Sequence, residues 1–594
     1  MTDPSLSRRF GEVDGPVPAD LVSMLRARVQ EHPRRLAIAV AGSGGLPEPV
    51  RTYSELLHDV ERCAAALLRM DGDEPVLVAC RPGPTFISAF IGCLAAGRLA
   101  VPIYGLRSSQ HQREPKRLQR IQLDSGARLI FDDDSFSFGE SAVAELGSRV
   151  KLGDRHSQHT DNYFRHDWPR DSSEDGAYLQ YTSGATASPR GVVVTKGALF
   201  ANLQAIASSY NATEEWRAVT WLPPYHDMGL VGGLLAPLFW GSSVCIMRPE
   251  LFLSRPANWL RAISAFRARF SAAPNFAYDY CARRIPDGDL LGVDLSCWAV
   301  AVNGAEPVRN STMDRFSERF QHVGFDPVAF RPSYGLAEAT LLVSAGQRVE
   351  EPSPAPYPEF PPDRLVSCGP PAKDIEVQIV SPDGVGLTEG RLGEVWVRGP
   401  SVAAGYWRNE TETRSVFGAT LGDRVGFLRT GDTGFMFDGR LYITGRVKDV
   451  IVARGRSIHA LDVEDSVLEL LSDPKAVCAA FVIESEMEEL LCVAIGVRPT
   501  TTPQSCMDEL AARSRSVIRE RLGVTLSAVI FTTRNGIPKT SSGKVRRQEC
   551  RNRLMSGETG VIFAWTTPAA RKVFRKSPEE RVGRQPPGMM PGTA

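Results

Sequence analysis

Residues 75–103 read PVLVACRPGPTFISAFIGCLAAGRLAVPI. Pro75–Cys80 is a short apolar strand, Pro84–Gly97 an apolar helix and Leu99–Ile103 a second strand. Apolar strands that alternate with apolar-faced helices predict parallel sheet covered on both faces. Upstream, Thr52-Tyr-Ser-Glu55 has the spacing of a capping box and opens a helix expected to run to about Met70. Downstream the same rhythm returns in AVTWL (218–222), SVCIM (243–247) and WAVAV (298–302). An α/β fold follows.

The chain has 594 residues, 43% of them hydrophobic, which allows several folding units. Its 69 Lys and Arg cancel its 69 Asp and Glu, so a chain-wide basic surface for nucleic acid is not expected. Eleven scattered cysteines with no CxxC pair read as reduced, buried thiols. His156, His159 and His166 fall in a polar loop and read as solvated rather than metal-binding. The uncharged stretch Met228–Met247 holds Gly229, Gly232, Gly233, Pro237 and Gly241, which predict buried helix, turn and strand instead of a membrane span. The start, MTDPSLSRRFGEVDGP, has no apolar core, so a cytoplasmic protein is expected. EPSPAPYPEFPPD (351–363) reads as an exposed connector, and the segment after Pro568 as a disordered basic tail.

Four polar segments sit where open α/β sheets place ligands, just beyond apolar strands. The first is YTSGATASPRG (181–191). Its small residues, Gly184 and Gly191 among them, let backbone N–H groups wrap an anion. The hydroxyls of Thr182, Ser183, Thr186 and Ser188 add donors, and Arg190 adds a charge suited to phosphate oxygens. Read alone, the segment could equally be a surface loop of turn formers. No Walker A pattern is present. The others are Tyr225-His226-Asp227, Asn303-Gly304-Ala305-Glu306 and Ser333-Tyr334-Gly335-Leu336-Ala337-Glu338. Tyr334 offers a face for a purine and Glu338 a hard oxygen ligand for Mg²⁺. Read singly, Glu338 could equally cap a helix and His226 could be a satisfied core residue.

Together with LRTGD (428–432), TGRVKD (444–449) and KTSSGK (539–544), these segments resemble the adenylate-forming superfamily, in its order and over residues 20–555. YHDMGL, FRPSYGLAEATL and LVSCG (365–369) are most similar to the fatty acyl-AMP ligases. The resemblance implies a large N-terminal domain over residues 1–443, built of parallel and mixed sheets covered by helices plus a small β-barrel-like subdomain. A hinge at 444–449 containing Lys448 and a small mobile α+β domain over 450–567 follow, with the tail from 568 to 594.

It also implies ATP and Mg²⁺, a medium- or long-chain fatty acid substrate and an acyl carrier protein of a polyketide or nonribosomal peptide pathway, whose phosphopantetheine thiol takes the acyl group. The catalytic residues would be Lys544, Glu338 and His226, with Glu338 on the metal. Thr182 to Gly191 would hold phosphates. Gly304, Ala305, Glu306, Ser333, Tyr334 and Gly335 would enclose adenine, and Asp432 with Arg446 would meet the ribose. An acyl-CoA synthetase is the alternative in the same class, because the region Ser344–Val366 is shorter than in many fatty acyl-AMP ligases. A non-catalytic nucleotide-binding homologue is the alternative outside it. Arg190 stands where the family often has Lys, and Ser457, His459 and Ala460 where acyl-AMP ligases often have Asn, Tyr and Pro.

Overall fold

The computed structural model describes residues 21–104, 115–132, 148–150, 174–182, 189–348, 365–453, 456–471, 473, 476–484, 489–498, 504–539 and 545–575. They form two compact units, divided between Thr444 and Gly445.

The larger unit contains three sheets. In the first, eight strands run in the order Leu342–Ala345, Phe330–Gly335, Val300–Gly304, Phe270–Pro274, Arg217–Thr220, Ser243–Ile246, Leu36–Ala41, Pro47–Thr52. The six inner strands are parallel and the two edge pairs antiparallel. The second sheet has seven strands: Gly405–Tyr406, Arg190–Thr195, Gly176–Thr182, Ala100–Pro102, Val76–Val78, Leu129–Phe131 and Ser148–Arg149. Val76 and Val78 point into the main core while Leu77 points into a separate cluster with Val101 and Ile130. Both faces of this strand are apolar, which is why PVLVAC is a continuous run and not an alternating one. Thr52 closes the expected capping box, and the helix it opens spans Tyr53–Leu68. The third sheet is antiparallel in its path Glu376–Val380, Gly393–Arg398, Arg424–Phe437, Ala419–Leu421, and Arg440–Arg446 also pairs with Arg424–Phe437.

The smaller unit is built on four strands, Val477–Glu484, Glu489–Val497, Ala528–Thr533 and Val561–Thr566. Cys478 and Ala480 face the core shared with helices Ala460–Leu468 and Gln504–Leu522, whereas Ala479 and Phe481 face the one shared with Arg547–Ser556. The second core also takes in Pro568–Arg575. This corrects the tail expected from Pro568: those residues form a helix, with Ala570 fully buried. Pro at the first helical position and Thr567, whose Oγ1 accepts from Ala570 N at 3.3 Å, start it, and Val573 and Phe574 supply the apolar face.

Met228–Met247 is a π-helix (Met228–Leu235), a short helix (Ala236–Phe239) and a strand (Ser243–Ile246), all buried among core residues. Among the described residues no helix is long and apolar enough to cross a membrane, and no three His, Cys, Asp or Glu side chains group as metal ligands. His156, His159 and His166 lie outside the described residues. None of the cysteines is disulfide-bonded, and nine are buried.

Candidate active site

The parallel strands of the eight-stranded sheet end side by side. Pro274 is in register with Gly304, and Asn303 with Pro332. Hence the segments after Gly304 and around Tyr334 share one edge, the carboxyl end where doubly wound sheets bind ligands. A Cβ on Gly304 would sit 2.8 Å from the Ser333 carbonyl oxygen, so only glycine allows these two backbones to approach. Ala305 next to it holds φ 64°, a left-handed conformation that costs a residue with a Cβ about 1 kcal/mol. Glu306 accepts from Phe276 N and so ties this turn to the helix Asn275–Arg284. Ser333 is buried and bonded to the Tyr210 hydroxyl at 3.0 Å.

The Tyr334 hydroxyl donates to Asp432 Oδ2 at 2.7 Å. Asp432 comes from the long strand Arg424–Phe437 of the third sheet and is buried. Two of the sequence-predicted residues are therefore in direct contact.

A second group gathers beside Glu338, which lies in a single 3₁₀ turn after Leu336. Tyr406 Oη donates to Glu338 Oε1 at 2.9 Å. Burial, with Glu338 close by, pushes the Tyr406 phenol well above its ordinary pKa, so it stays a donor. Arg190 lies with its guanidinium 5.7 Å from the centre of the Tyr406 ring and 2.6 Å from Glu412 Oε1. The strand pairing explains the assembly: Gly405–Tyr406 pairs with Val193 and Val192, and Thr182 pairs with Arg190, Tyr181 with Gly191. Thr182, Arg190 and Gly191 thus lie at the facing ends of two antiparallel strands. Sequence reasoning missed Tyr406, because a two-residue strand carries no period to read, and Glu412, which lies in the short helix Glu410–Val416 that follows.

His226 follows the strand Arg217–Thr220 in a turn held by Gln180 Nε2, which donates to the Tyr225 carbonyl at 2.8 Å. Asp227 starts the π-helix, its Oδ1 accepting from Met228 N at 2.7 Å. His226 is thereby placed after the same sheet edge, beside the Tyr225 ring at 4.8 Å. Gly335 ends its strand, whereas Arg446 and Lys448 are exposed, Arg446 at the end of Arg440–Arg446 and Lys448 in the turn Val447–Asp449. Ser183, Gly184, Thr186 and Lys544 lie outside the described residues.

What is assembled has the chemistry of a nucleotide site. It offers an aromatic face and a turn that a Cβ would close, a buried carboxylate suited to hydroxyl donors, and an arginine suited to phosphate. Glu338 presents oxygen donors of the kind Mg²⁺ takes.

Comparison with known proteins agrees. Residues 25–407 match the family model described as AMP-binding enzyme. The medium-chain-fatty-acid–[acyl-carrier-protein] ligase JamA of Moorena producens is 35% identical over 566 residues, covering 90% of this chain and 95% of its own. FadD21 of Mycobacterium tuberculosis, named for a fatty-acid–CoA ligase activity, is 33% identical, with 90% and 97% covered. A solved fatty acyl-adenylate ligase of Legionella pneumophila, in complex with acyl adenylate and pyrophosphate, superposes with a TM-score of 0.66 at 33% identity, covering 92% of this chain and 98% of that one. Matching the family model over most of its length, the chain belongs to the AMP-binding enzymes of the adenylate-forming superfamily and resembles the fatty acyl-AMP ligases.

Proposed function

We propose that the protein activates a medium-chain fatty acid with ATP and hands the acyl group to the phosphopantetheine thiol of an acyl carrier protein. The observation that carries the adenylation half of this reading is that Tyr334 bonds Asp432 while Glu338 accepts from Tyr406, over whose ring Arg190 lies. The likeness to JamA supports the acid and its acceptor.

A carboxylate is a poor acyl donor, and adenylation corrects that. One carboxylate oxygen bonds to the α-phosphorus while the bond to the bridging oxygen breaks and pyrophosphate leaves. The thiol then attacks the acyl carbon and AMP departs. Negative charge concentrates at phosphorus, so positioning and fixed countercharge supply the rate. Tyr334 would stack on adenine, its ring fixed by the hydroxyl's bond to Asp432. Asp432 would accept from ribose hydroxyls. Arg190 would meet the departing phosphates, and Lys544 the carboxylate and α-phosphate. Glu338 would hold Mg²⁺, which neutralises phosphate charge when bound. His226 would line the entry of the acid, beside the apolar π-helix Met228–Leu235. Lys448 would serve as the hinge within 444–449, Arg446 alongside, and ATP as cosubstrate supports a cytoplasmic setting.

CoA as acceptor is the second reading, favoured by the name of FadD21. Mass spectrometry of products from ATP, Mg²⁺ and a fatty-acid panel, with CoA or with a phosphopantetheinylated carrier protein, decides. Acyl-AMP that persists with CoA and disappears onto the carrier supports the first reading, and acyl-CoA the second. Lys544→Ala should lower adenylate formation by on the order of a hundred-fold while ATP binding persists. Normal adenylation in that variant would remove Lys544 from the mechanism.

A further inference from the structure

Glu338, Tyr406, Arg190 and Glu412 form one line of contacts, and its last member has no role in the reaction described above. Glu412 lies in the first turn of the short helix Glu410–Val416. It is held on two sides. Asn409 caps the helix by accepting from Glu412 N at 3.1 Å, and its Nδ2 donates to Glu412 Oε2 at 3.3 Å. The other oxygen, Oε1, faces Arg190 Nη1 at 2.6 Å. Both side chains are 26% exposed, so solvent only partly screens the pair. Guanidinium carries five N–H donors in a fixed fork, and Glu412 takes the Nη1 arm.

We propose that Glu412 is the counter-ion that competes with pyrophosphate for Arg190. The proposal rests on the adenylation reading, since it takes Arg190 as a phosphate ligand. Before nucleotide enters, the carboxylate keeps the guanidinium neutralised and parked over Tyr406. A polyphosphate outweighs one carboxylate and claims the fork. Once the α-phosphorus–oxygen bond has broken, pyrophosphate must leave, and a carboxylate already fixed by Asn409 takes the arginine back. An Arg at 190 suits this exchange better than a Lys, because separate arms can change partner in turn.

The test is titration of pyrophosphate into the full chain, wild type against Glu412→Gln. Glutamine keeps an oxygen to accept from Nη1 and removes the charge. The dissociation constant for pyrophosphate should fall about five-fold at low salt, with the gap narrowing as salt rises. In an Arg190→Gln background the same substitution should change nothing. Glu412→Asp, with its charge one methylene further back, should tighten binding in the same direction by less, and serves if the glutamine variant fails to fold. Unchanged or weaker pyrophosphate binding in Glu412→Gln overturns the proposal. The titration needs no turnover, so a wild type that makes no acyl-AMP would sink the adenylation reading separately.

Discussion

Tyr334 and Asp432 lie 98 residues apart in the chain and belong to different sheets, yet one hydrogen bond of 2.7 Å joins them. The bond fixes the ring's rotation and spends one acceptor site of a buried carboxylate. Tyr334→Phe keeps the ring and removes that bond, worth about 1.5 kcal/mol at the low end for a charged acceptor. The KM for ATP should rise about five- to ten-fold in pyrophosphate-release assays, with the KM for the fatty acid nearly constant. A parallel rise in both would assign the bond to the fold and not to the nucleotide. Tyr334 stands out in the sequence because it sits in a polar cluster after an apolar strand, and Asp432 only through the resemblance that LRTGD carries. Their contact does not, since it depends on how the third sheet meets the first. Tyr406 and Glu412 were less legible still: GYWRNETE has no local chemistry until strand pairing brings Tyr406 beside Val192.

At the scale of elements, the strands and the capped helix follow from pattern alone. PVLVAC, AVTWL, SVCIM and WAVAV all contain strands, because runs apolar on both faces have few other places to go. The π-helix Met228–Leu235 was legible as buried helix but not as π-helix. At its start the two backbones touch: a Cβ on Gly229 would lie 2.1 Å from the Pro223 carbonyl oxygen. The helix start therefore lies directly on the backbone leaving the strand Arg217–Thr220, next to His226. Gly229→Ala must push one backbone off the other, at a cost of about 3 kcal/mol. Thermal and denaturant unfolding should show that loss. Unchanged stability would mean that the helix start shifts freely, and that His226 is not held by it.

At the scale of the molecule, the two units keep separate apolar cores, and within the smaller one a buried ionic group links distant segments. Glu464 is 2% exposed and accepts from Ala480 N at 2.8 Å. Arg547 grips both its oxygens, at 2.6 and 2.8 Å, and also bonds Asp449 at the end of the turn Val447–Asp449. The turn, the helix Ala460–Leu468, the strand Val477–Glu484 and the helix Arg547–Ser556 all meet there. Glu464 and Arg547 are 83 residues apart, and no sequence pattern links them. The helix Pro568–Arg575 escaped reading for a related reason: its basic residues read as tail until Ala570 and Phe574 are seen against the second core.

Burial raises the Glu464 carboxyl above its ordinary 4.5, and Arg547 opposes that rise. Arg547→Met removes the opposition and leaves a buried carboxylate short of its partner. The loss should be about 3 kcal/mol at pH 8. Its pH dependence has a definite sign. A carboxyl with a raised folded pKa keeps its proton when the unfolded chain has lost it, so stability falls as pH climbs from about 4.5 to the folded pKa. The variant's deficit should therefore shrink as the pH is lowered from 8 towards 5. Hydrogen exchange of Val477–Glu484, which includes the Ala480 amide bonded to Glu464, reads it locally. A deficit independent of pH would mean that the loss comes from packing of the arginine stem and not from the charge it pairs.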